Sequence, residues 1–552
     1  MTAATADSAK GKPANMGLVV AAAAAGTAFE WYDFFLFVPL AGIISKTFFA
    51  GLNETAGYVF ALGAFAAGFA FRPLGALIFG RIGDRLGRKG TFLITMSLMG
   101  VATFAIGLVP TYAQAGIIAP VIFLCLRLAQ GLALGGEWGG AAIYIAEHTP
   151  AGKRGYLGSW LGGSAAFGLG GALIVVLIVR TIVGEANFAA WGWRLPFLVS
   201  AALLAISIWI RLKLSESPLF EEMREEGTRS EKPYVESFLQ WPNLKIVLIA
   251  LFAVMIAQGA VWYTCFFYAQ FFMENVIKVP PATVNEIMIA LVIVSIPLYL
   301  FFGWLSDRIG RKKVMVSGMI LATIAFFPGF HMITQTANPA LAHAQTTSPV
   351  TVIADPAECS LQFDPVGKSQ FRTSCDIAKS VLATSGVSYF NQSAPAGTLA
   401  QVKIGEVMVP SADGTALDTK GLTALKAETS GRIKAALATA GYPAKADPAQ
   451  INLIGLFGVL LIFVVGATAL YGPQPAALVE LFPTRIRYTA LSLPYHIGTG
   501  WIGGFLPAAS FAMVAAKGDI YFGLWYPVVW TTIAILCTLF FLPETKDRDL
   551  RF

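Results

Sequence analysis

Twelve stretches of about 20 or more largely apolar residues recur along the chain, near 17–45, 55–80, 91–110, 116–145, 156–181, 190–212, 244–273, 284–304, 314–333, 452–479, 489–513 and 521–541. A helix needs about 20 such residues to cross a bilayer. In lipid only helices or closed barrels satisfy their own backbone groups. Barrel strands are shorter and alternate in polarity, whereas these stretches are apolar throughout. The composition agrees, with 56% hydrophobic and 13% charged residues, about half the charged share of a soluble domain. An all-α polytopic membrane protein is expected. The polar start, Met1 to Asn15, lacks a short apolar run with a small-residue cleavage site, so no cleaved leader is expected.

Lys and Arg orient such a chain, because cytoplasmic loops collect them. Most of the 39 fall on one side if the N-terminus is cytoplasmic: Lys10 and Lys12, Arg81 to Lys89, Lys153 and Arg154, Arg211 to Lys245, Arg308 to Lys313, Arg485 and Arg487, and Lys546 to Arg551. Short loops on the other side hold few (Lys46, Arg180, Arg194, Lys278, Lys517). Both termini are thus expected in the cytoplasm. The net charge of +7 reflects topology rather than nucleic-acid binding. Cys125, Cys265 and Cys537 lie in spans as small hydrophobes. Cys359 and Cys375 share a long exterior loop, where two cysteines pair more often than they bind metal. A disulfide is expected there, and no His/Cys cluster has zinc spacing.

The chain repeats itself. Gly80-Arg81-Ile82-Gly83-Asp84-Arg85-Leu86-Gly87-Arg88-Lys89 joins spans 2 and 3, and Gly303-Trp304-Leu305-Ser306-Asp307-Arg308-Ile309-Gly310-Arg311-Lys312 joins spans 8 and 9. Glu147-x-x-Pro150-x-x-x-Arg154 likewise returns as Glu480-x-x-Pro483-x-x-x-Arg487. The two aspartates are 223 residues apart and the two glutamates 333, so 110 extra residues entered between the motifs of the second half. The polar stretch 334–451 has that size. The expected plan is a six-helix bundle (1–213), a cytoplasmic linker (214–243), helices 7–9 (244–333), an exterior insertion (334–451) and helices 10–12 with a cytoplasmic tail (452–552). In the insertion, Leu422, Leu425, Ile433 and Leu437 have helical spacing, while Val402, Ile404, Val407 and Val409 alternate as in strands. It reads as a small α/β accessory domain, with disorder as the alternative.

The paired Gly-x-x-x-Asp-Arg-x-Gly-Arg-Lys loops resemble the signature of the major facilitator superfamily. Glu30-Trp31-Tyr32-Asp33-Phe34, Arg127-Leu128-Ala129-Gln130-Gly131, Gly135-Gly136-Glu137-Trp138-Gly139-Gly140, Glu480 to Thr489 and Pro543 to Arg548 narrow the resemblance to its metabolite:proton symporters, which carry α-ketoglutarate, citrate, shikimate, or proline and betaine. The resemblance spans both helical halves but not 334–451. It implies twelve transmembrane helices in two bundles, alternating access around a midplane site, a bacterial inner membrane, a proton gradient in place of a bound cofactor, and a monomer. It also implies proton transfer at Arg127, and gating contacts at Asp84, Arg85, Arg88, Asp307, Arg308 and Arg311, joined by the repeated Glu147, Arg154, Glu480 and Arg487.

Ionisable groups within spans are costly and mark function by default. Glu30 and Asp33, three apart, share a helix face, where two carboxylates in low dielectric cannot both stay ionised. Arg72 is either their counter-charge, locking spans 1 and 2, or an anchor for a substrate carboxylate. Arg127, Gln130, Glu137 and Tyr144 form a polar stripe on span 4; Glu137, among glycines, is either a coupling group or a packing-buried hydrogen-bonder. The second half offers neutral groups for a small polar ligand: Gln258, Trp262, Tyr263, Tyr268 and Gln270 on span 7, Tyr471 and Gln474 on span 10, Tyr495 and His496 on span 11.

Proton-coupled uptake of a small organic acid or zwitterion is the leading expectation. Efflux by antiport uses the same fold. An ATP-driven pump needs a Gly-x-x-x-x-Gly-Lys-Ser/Thr loop, and the nearest match, Gly367-Lys368-Ser369, has Gln362 in place of the first glycine. A membrane enzyme or an exterior sensor needs a constellation in 334–451 that the sequence does not display. No enzymatic activity is expected; the partners are a small solute, protons and lipid.

Overall fold

The computed structural model describes residues 16–49, 54–212, 216–360 and 370–551. The polar start with Lys10 and Lys12, Lys213, and the stretch containing Gln362 and Gly367-Lys368-Ser369 lie outside the described residues. The long helices are α1 (Met16–Phe35, continued by Phe37–Phe48), α2 (Glu54–Leu86), α3 (Arg88–Leu108), α4 (Ile118–His148), α5 (Ala151–Val183), α6 (Arg194–Leu212), α7 (Trp241–Val276), α8 (Pro281–Ile309), α9 (Arg311–Ala337), α10 (Leu453–Leu481), α11 (Arg487–Val514) and α12 (Phe522–Phe541). Ten of them, α3 to α12, are long and apolar enough to cross a membrane among the described residues. Their outer faces carry large bare apolar side chains such as Ile182, Ile454 and Phe540, a surface suited to lipid rather than water.

Glycine lets the helices approach. A Cβ on Gly131 of α4 would run into the Gly68 carbonyl of α2, and one on Gly135 into the carbonyl of Arg72. In both repeated loops a glycine takes a positive φ, +112° at Gly87 and +107° at Gly310, which side chains disfavour. Each chain reversal then starts a helix, α3 or α9. Helices α7 and α11, packed together, contain wider turns with i→i+5 winding at Ala250–Met255, Thr264–Tyr268 and Ile497–Gly503. Such turns gather at functional sites.

The linker carries a short amphipathic helix, Pro218–Glu225, capped by Ser217, with Phe220 and Met223 buried. Beyond α9, at the end remote from the repeated loops, the insertion folds as a four-stranded sheet in the order β2-β1-β3-β4: β1 (Val350–Ala354), β2 (Tyr389–Ser393), β3 (Gln401–Ile404) and β4 (Val407–Pro410). β1 and β2 are parallel, with Val350 opposite Tyr389. The other pairs are antiparallel, Val350 facing Ile404 and Val402 facing Val409. Helices Ser374–Thr384 and Thr419–Thr439 complete it. Leu422, Ile433 and Leu437 are buried.

The boundary expected at 333 moves outward, because α9 continues to Ala337 and Asn338 caps the next helix. Cys359 and Cys375 are disulfide-bonded. Asp355 accepts the N–H groups of Gly397 (2.9 Å) and Ala357 (3.0 Å), which hold its carboxyl below the usual range. The domain is tied to the helices at the end of α7 and beyond α11. The Ala446 N–H donates to Lys278 (3.0 Å), Asn338 Nδ2 to Ile277 (2.9 Å), the Tyr389 N–H to Gly518 (2.5 Å) and Asn391 Nδ2 to Lys517 (2.9 Å).

Candidate functional site

The repeated motifs meet at one end of the bundle in a duplicated network. Asp84, near the end of α2, accepts the N–H groups of Tyr488 (3.1 Å) and Thr489 (2.8 Å) at the start of α11. Asp307, near the end of α8, accepts those of Gly155 (2.9 Å) and Tyr156 (2.7 Å) in the first turns of α5. Each carboxylate thus spans the two halves onto free N–H groups of a helix start, where negative charge is favoured. Glu147 of α4 accepts Arg487 Nη1 from the other half (2.8 Å) and lies 3.7 Å from Arg88. Glu480 of α10 accepts Arg311 Nη2 (3.2 Å) and lies 3.7 Å from Arg154 across the divide.

Two further carboxylates complete the symmetry. Glu216 accepts the N–H groups of Arg88 (3.1 Å) and Lys89 at the start of α3. Glu544 does the same for Arg311 (2.9 Å) and Lys312 (3.2 Å) at the start of α9. Ser217 donates to Glu147, and Thr545 to Glu480 (2.8 Å). Arg85 and Arg308 correct the expectation: both are exposed, and Arg308 lies over Trp304 at 4.0 Å. Each follows its aspartate by one residue, about 100° around the helix, so its side chain turns away from the face that Asp84 and Asp307 present to the other half.

Between the halves, Thr27, Glu30, Trp31, Arg72, Leu134, Glu137, Trp138, Tyr495 and His496 line a small cavity of about 10 Å³, about the space for one water. Arg72 is buried, with its guanidinium over Phe69 (4.2 Å), Phe34 (4.5 Å) and Trp31 (5.5 Å). Glu30 lies against the Glu137 carboxylate, Arg72 interacts with the Tyr263 hydroxyl, and His496 lies near the Gly135 backbone. Trp138 stacks on Tyr495 with ring centroids 3.8 Å apart and donates to the Tyr471 hydroxyl (3.0 Å).

Several expectations are redrawn. Glu30 and Asp33 act on each other electrostatically, and Asp33 also accepts the Ser200 hydroxyl of α6 (2.5 Å). Arg72 is no counter-charge, since aromatic rings surround its guanidinium. Glu137 is ion-paired with Arg211 of α6 (2.9 Å) and accepts Thr95 (3.0 Å); Arg211 is buried, not a loop cation. Tyr144 does not line the cavity; its ring meets Phe92 edge-on and His148 at a tilt. Arg127 donates to Gln130 (2.6 Å), which donates to Thr103 (2.7 Å); both sit apart from the cavity lining.

On the second half, Tyr263 stands against Phe69 (5.9 Å). Trp262 turns to Tyr299 (2.8 Å) and Gln474 to the Met255 sulfur (3.0 Å). Gln258 is buried with its Oε1 unpartnered. Tyr268 packs against Phe330, and Gln270 bonds Glu274 (3.0 Å), away from the cavity. Residues the sequence reading passed over include Arg211, Glu216, Tyr488, Ser200 and Thr103. Glu216 had a signal: Ser215-Glu216-Ser217-Pro218 stands to the first repeat as Pro543-Glu544-Thr545 stands to the second. Among the described residues no group of His, Cys, Asp and Glu is arranged to hold a metal ion.

Comparisons with known proteins accord with this architecture. The Major Facilitator Superfamily model matches residues 23–342, and the Sugar (and other) transporter model matches 433–551. The proline/betaine transporter of Salmonella typhimurium is 36% identical over 327 residues, 57% of this chain and 64% of the relative. The chain thus spans about 64% of that relative's length. The shikimate transporter of Escherichia coli is 34% identical over 314 residues, 55% of this chain and 70% of the relative. Among solved structures, the proton:xylose symporter XylE bound to 6-bromo-6-deoxy-D-glucose aligns over 97% of this chain and 98% of its own, at 16% identity and a TM-score of 0.62. A family match over more than half its length, together with the duplicated interlock, establishes that the chain belongs to the major facilitator superfamily.

Proposed function

We propose that this protein is a secondary active transporter that takes up a small organic acid or zwitterion by proton symport, its two halves rocking about the central cavity. The carrying observation is a cavity between the halves lined by the buried ionisable groups Glu30, Arg72, Glu137 and His496, with an interlock written twice in the chain at one end. In this reading α1 and α2 join the ten apolar helices to make twelve spans in a bacterial inner membrane. The interlocked end and both termini are cytoplasmic, and the insertion is exterior. The units are 1–213, 214–243, 244–333, 334–451 and 452–552, working as a monomer with the proton gradient as energy source. The relatives' names, proline/betaine and shikimate transporters, support this class of solute.

The two tasks divide between two clusters. Glu30, Arg72, His496, Trp138 and Tyr495 meet the solute. Asp33, beside Ser200, and the Arg127–Gln130–Thr103 chain belong to the coupling proton, outside the cavity but on the helices that frame it. Asp84, Asp307, Glu147, Glu480, Arg88, Arg311, Arg154 and Arg487 hold the cytoplasmic side shut and must part for release.

Proteoliposomes with an imposed proton gradient test the proposal. Labelled proline, betaine, shikimate and α-ketoglutarate are offered, with and without a protonophore. Accumulation of one solute that collapses with the gradient is expected, with Asp33→Asn leaving exchange but removing accumulation. Equal accumulation without the gradient sinks symport, and gradient-driven expulsion sinks uptake in favour of efflux.

A further inference from the structure

We propose that a proton in the central cavity leaves for the cytoplasm inside the first half of the molecule, down one face of α1 and past the Glu137–Arg211 pair, rather than between the halves, and that Arg211 is the barrier on that route. The inference rests on the transport reading above and adds to it the path of the coupled ion. Asp33, Glu30, Gly26 and Ala23 follow one another at spacings of three, four and three, so one face of α1 carries all four toward the interlocked end. Glu30 lines the central cavity with Glu137 and lies against its carboxylate. Arg211 Nη2 meets that carboxylate from the other side at 2.9 Å. Gly26 makes the room, because a Cβ there would run into the guanidinium. Past Arg211 lies a second cavity of about 10 Å³, lined by Ala23, Lys89, Phe92, Tyr144 and Arg211 itself, again room for about one water. Lys89, half-buried, marks its outer edge and donates to the Leu212 carbonyl (3.2 Å).

The way between the halves is shut at the same depth. Tyr488 of α11 donates to the Gly136 carbonyl of α4 (2.5 Å), and its ring and the Ser492 hydroxyl occupy the places of side chains at Gly140 and Gly139. Within the first half the step balances simply. A protonated Glu30 gives its proton to the Glu137 carboxylate, and Glu137 gives it to a water in the lower cavity. Both carboxylates end ionised, and the proton passes outward on water. Arg211 must swing from Glu137 for the second transfer. A guanidinium keeps its own proton, so Arg211 carries nothing; its fixed charge repels a proton that arrives unescorted, as an arginine does in a narrow pore. The other charged and titratable groups facing this line are Asp33 of α1, Arg72 of α2, Lys89 of α3, Tyr144 of α4, and Tyr488 and His496 of α11.

Proteoliposomes carrying the purified full chain and an enclosed pH-sensitive dye test the route. With a membrane potential imposed and no solute present, Arg211→Gln is expected to admit protons at least about tenfold faster than the wild type, the barrier charge being gone. Ala23→Leu fills the lower cavity, and added to Arg211→Gln it should return the leak to the wild-type rate. Alone, it should cut severalfold the gradient-driven accumulation of whichever of labelled proline, betaine, shikimate or α-ketoglutarate the wild type accumulates, while exchange of that solute continues. Melting curves verify that the variants fold. A folded Arg211→Gln without a leak overturns the proposal, as does a leak that survives Ala23→Leu. Accumulation that Ala23→Leu leaves unchanged, or that falls together with exchange, overturns it too, and decides alone should Arg211→Gln fail to fold. A wild type that accumulates none of the four solutes removes the transport reading itself, while the solute-free leak still reports on the route.

Discussion

Glu30 and Glu137 are two glutamates in the wall of one cavity, with opposite circumstances. Glu137 has a guanidinium at 2.9 Å, so Glu137→Gln strands Arg211 as a buried unpaired charge, a change that costs about 3–5 kcal/mol. A clear fall in melting temperature of the purified protein is expected. Glu30→Gln leaves the Arg211–Glu137 pair in place, so its unliganded melting temperature should fall less than that of Glu137→Gln. Equal falls in both variants would contradict the assignment. Glu30, Asp33, Arg72 and Arg127 were legible as candidates because a charge in an apolar run stands out. Their partners were not. Spacing of three fixes a face of α1, but which helix packs on that face is a tertiary matter, and Ser200 claims Asp33. Arg211, at a helix end, read as an orienting loop cation because sequence shows depth in the membrane only to within a turn.

At the scale of elements, the contact of α2 with α4 depends on missing side chains. Gly131→Ala should separate the helices and cost about 1–3 kcal/mol, as overpacking does, whereas Gly170→Ala on α5, whose new Cβ meets nothing within 4 Å, should be silent in the same melting assay. In the insertion, the disulfide closes a 16-residue separation. Cys359→Ser with Cys375→Ser should lower that domain's stability by about 3 kcal/mol, read as faster hydrogen exchange in 374–384. Asp355 adds a pH dependence. Its folded-state carboxyl titrates below its unfolded value, so its contribution is present above about pH 4 and is lost as pH falls further. Asp355→Asn should flatten that acid limb of hydrogen exchange in the insertion. The hairpin of β3 and β4 and the helix Thr419–Thr439 were visible in the alternation of Val402 to Val409 and the spacing of Leu422, Ile433 and Leu437. β1 and β2 were hidden: β2 is Tyr-Phe-Asn-Gln-Ser, polar outward along most of its length, and only its pairing makes it a strand.

For the whole molecule, the interlock ties one half to the other through two buried glutamates, one from each repeat. Glu147→Gln breaks the bond to Arg487. Loss of one partner of a buried pair should bias the protein by several kcal/mol toward opening at that end. A cysteine placed at Ser492, buried against Gly139 between the halves, should then react at least about tenfold faster with a polar maleimide. Glu480→Gln should act in the same direction, by symmetry, and an unchanged rate in both would argue that the interlock does not hold this end closed. This layer was the most legible of all, since duplication in the sequence had already matched Asp84 with Asp307 and Glu147 with Glu480.

The insertion is fastened where α7 ends and where α11 turns toward α12, by several hydrogen bonds to one half of the molecule. A detergent-bound helical bundle of this size offers electron microscopy little to align on, since the micelle hides its outline. With the insertion exterior, as proposed, this folded, disulfide-bonded domain would project beyond the belt and serve as a native fiducial for aligning particle images and for measuring displacement of the opposite half.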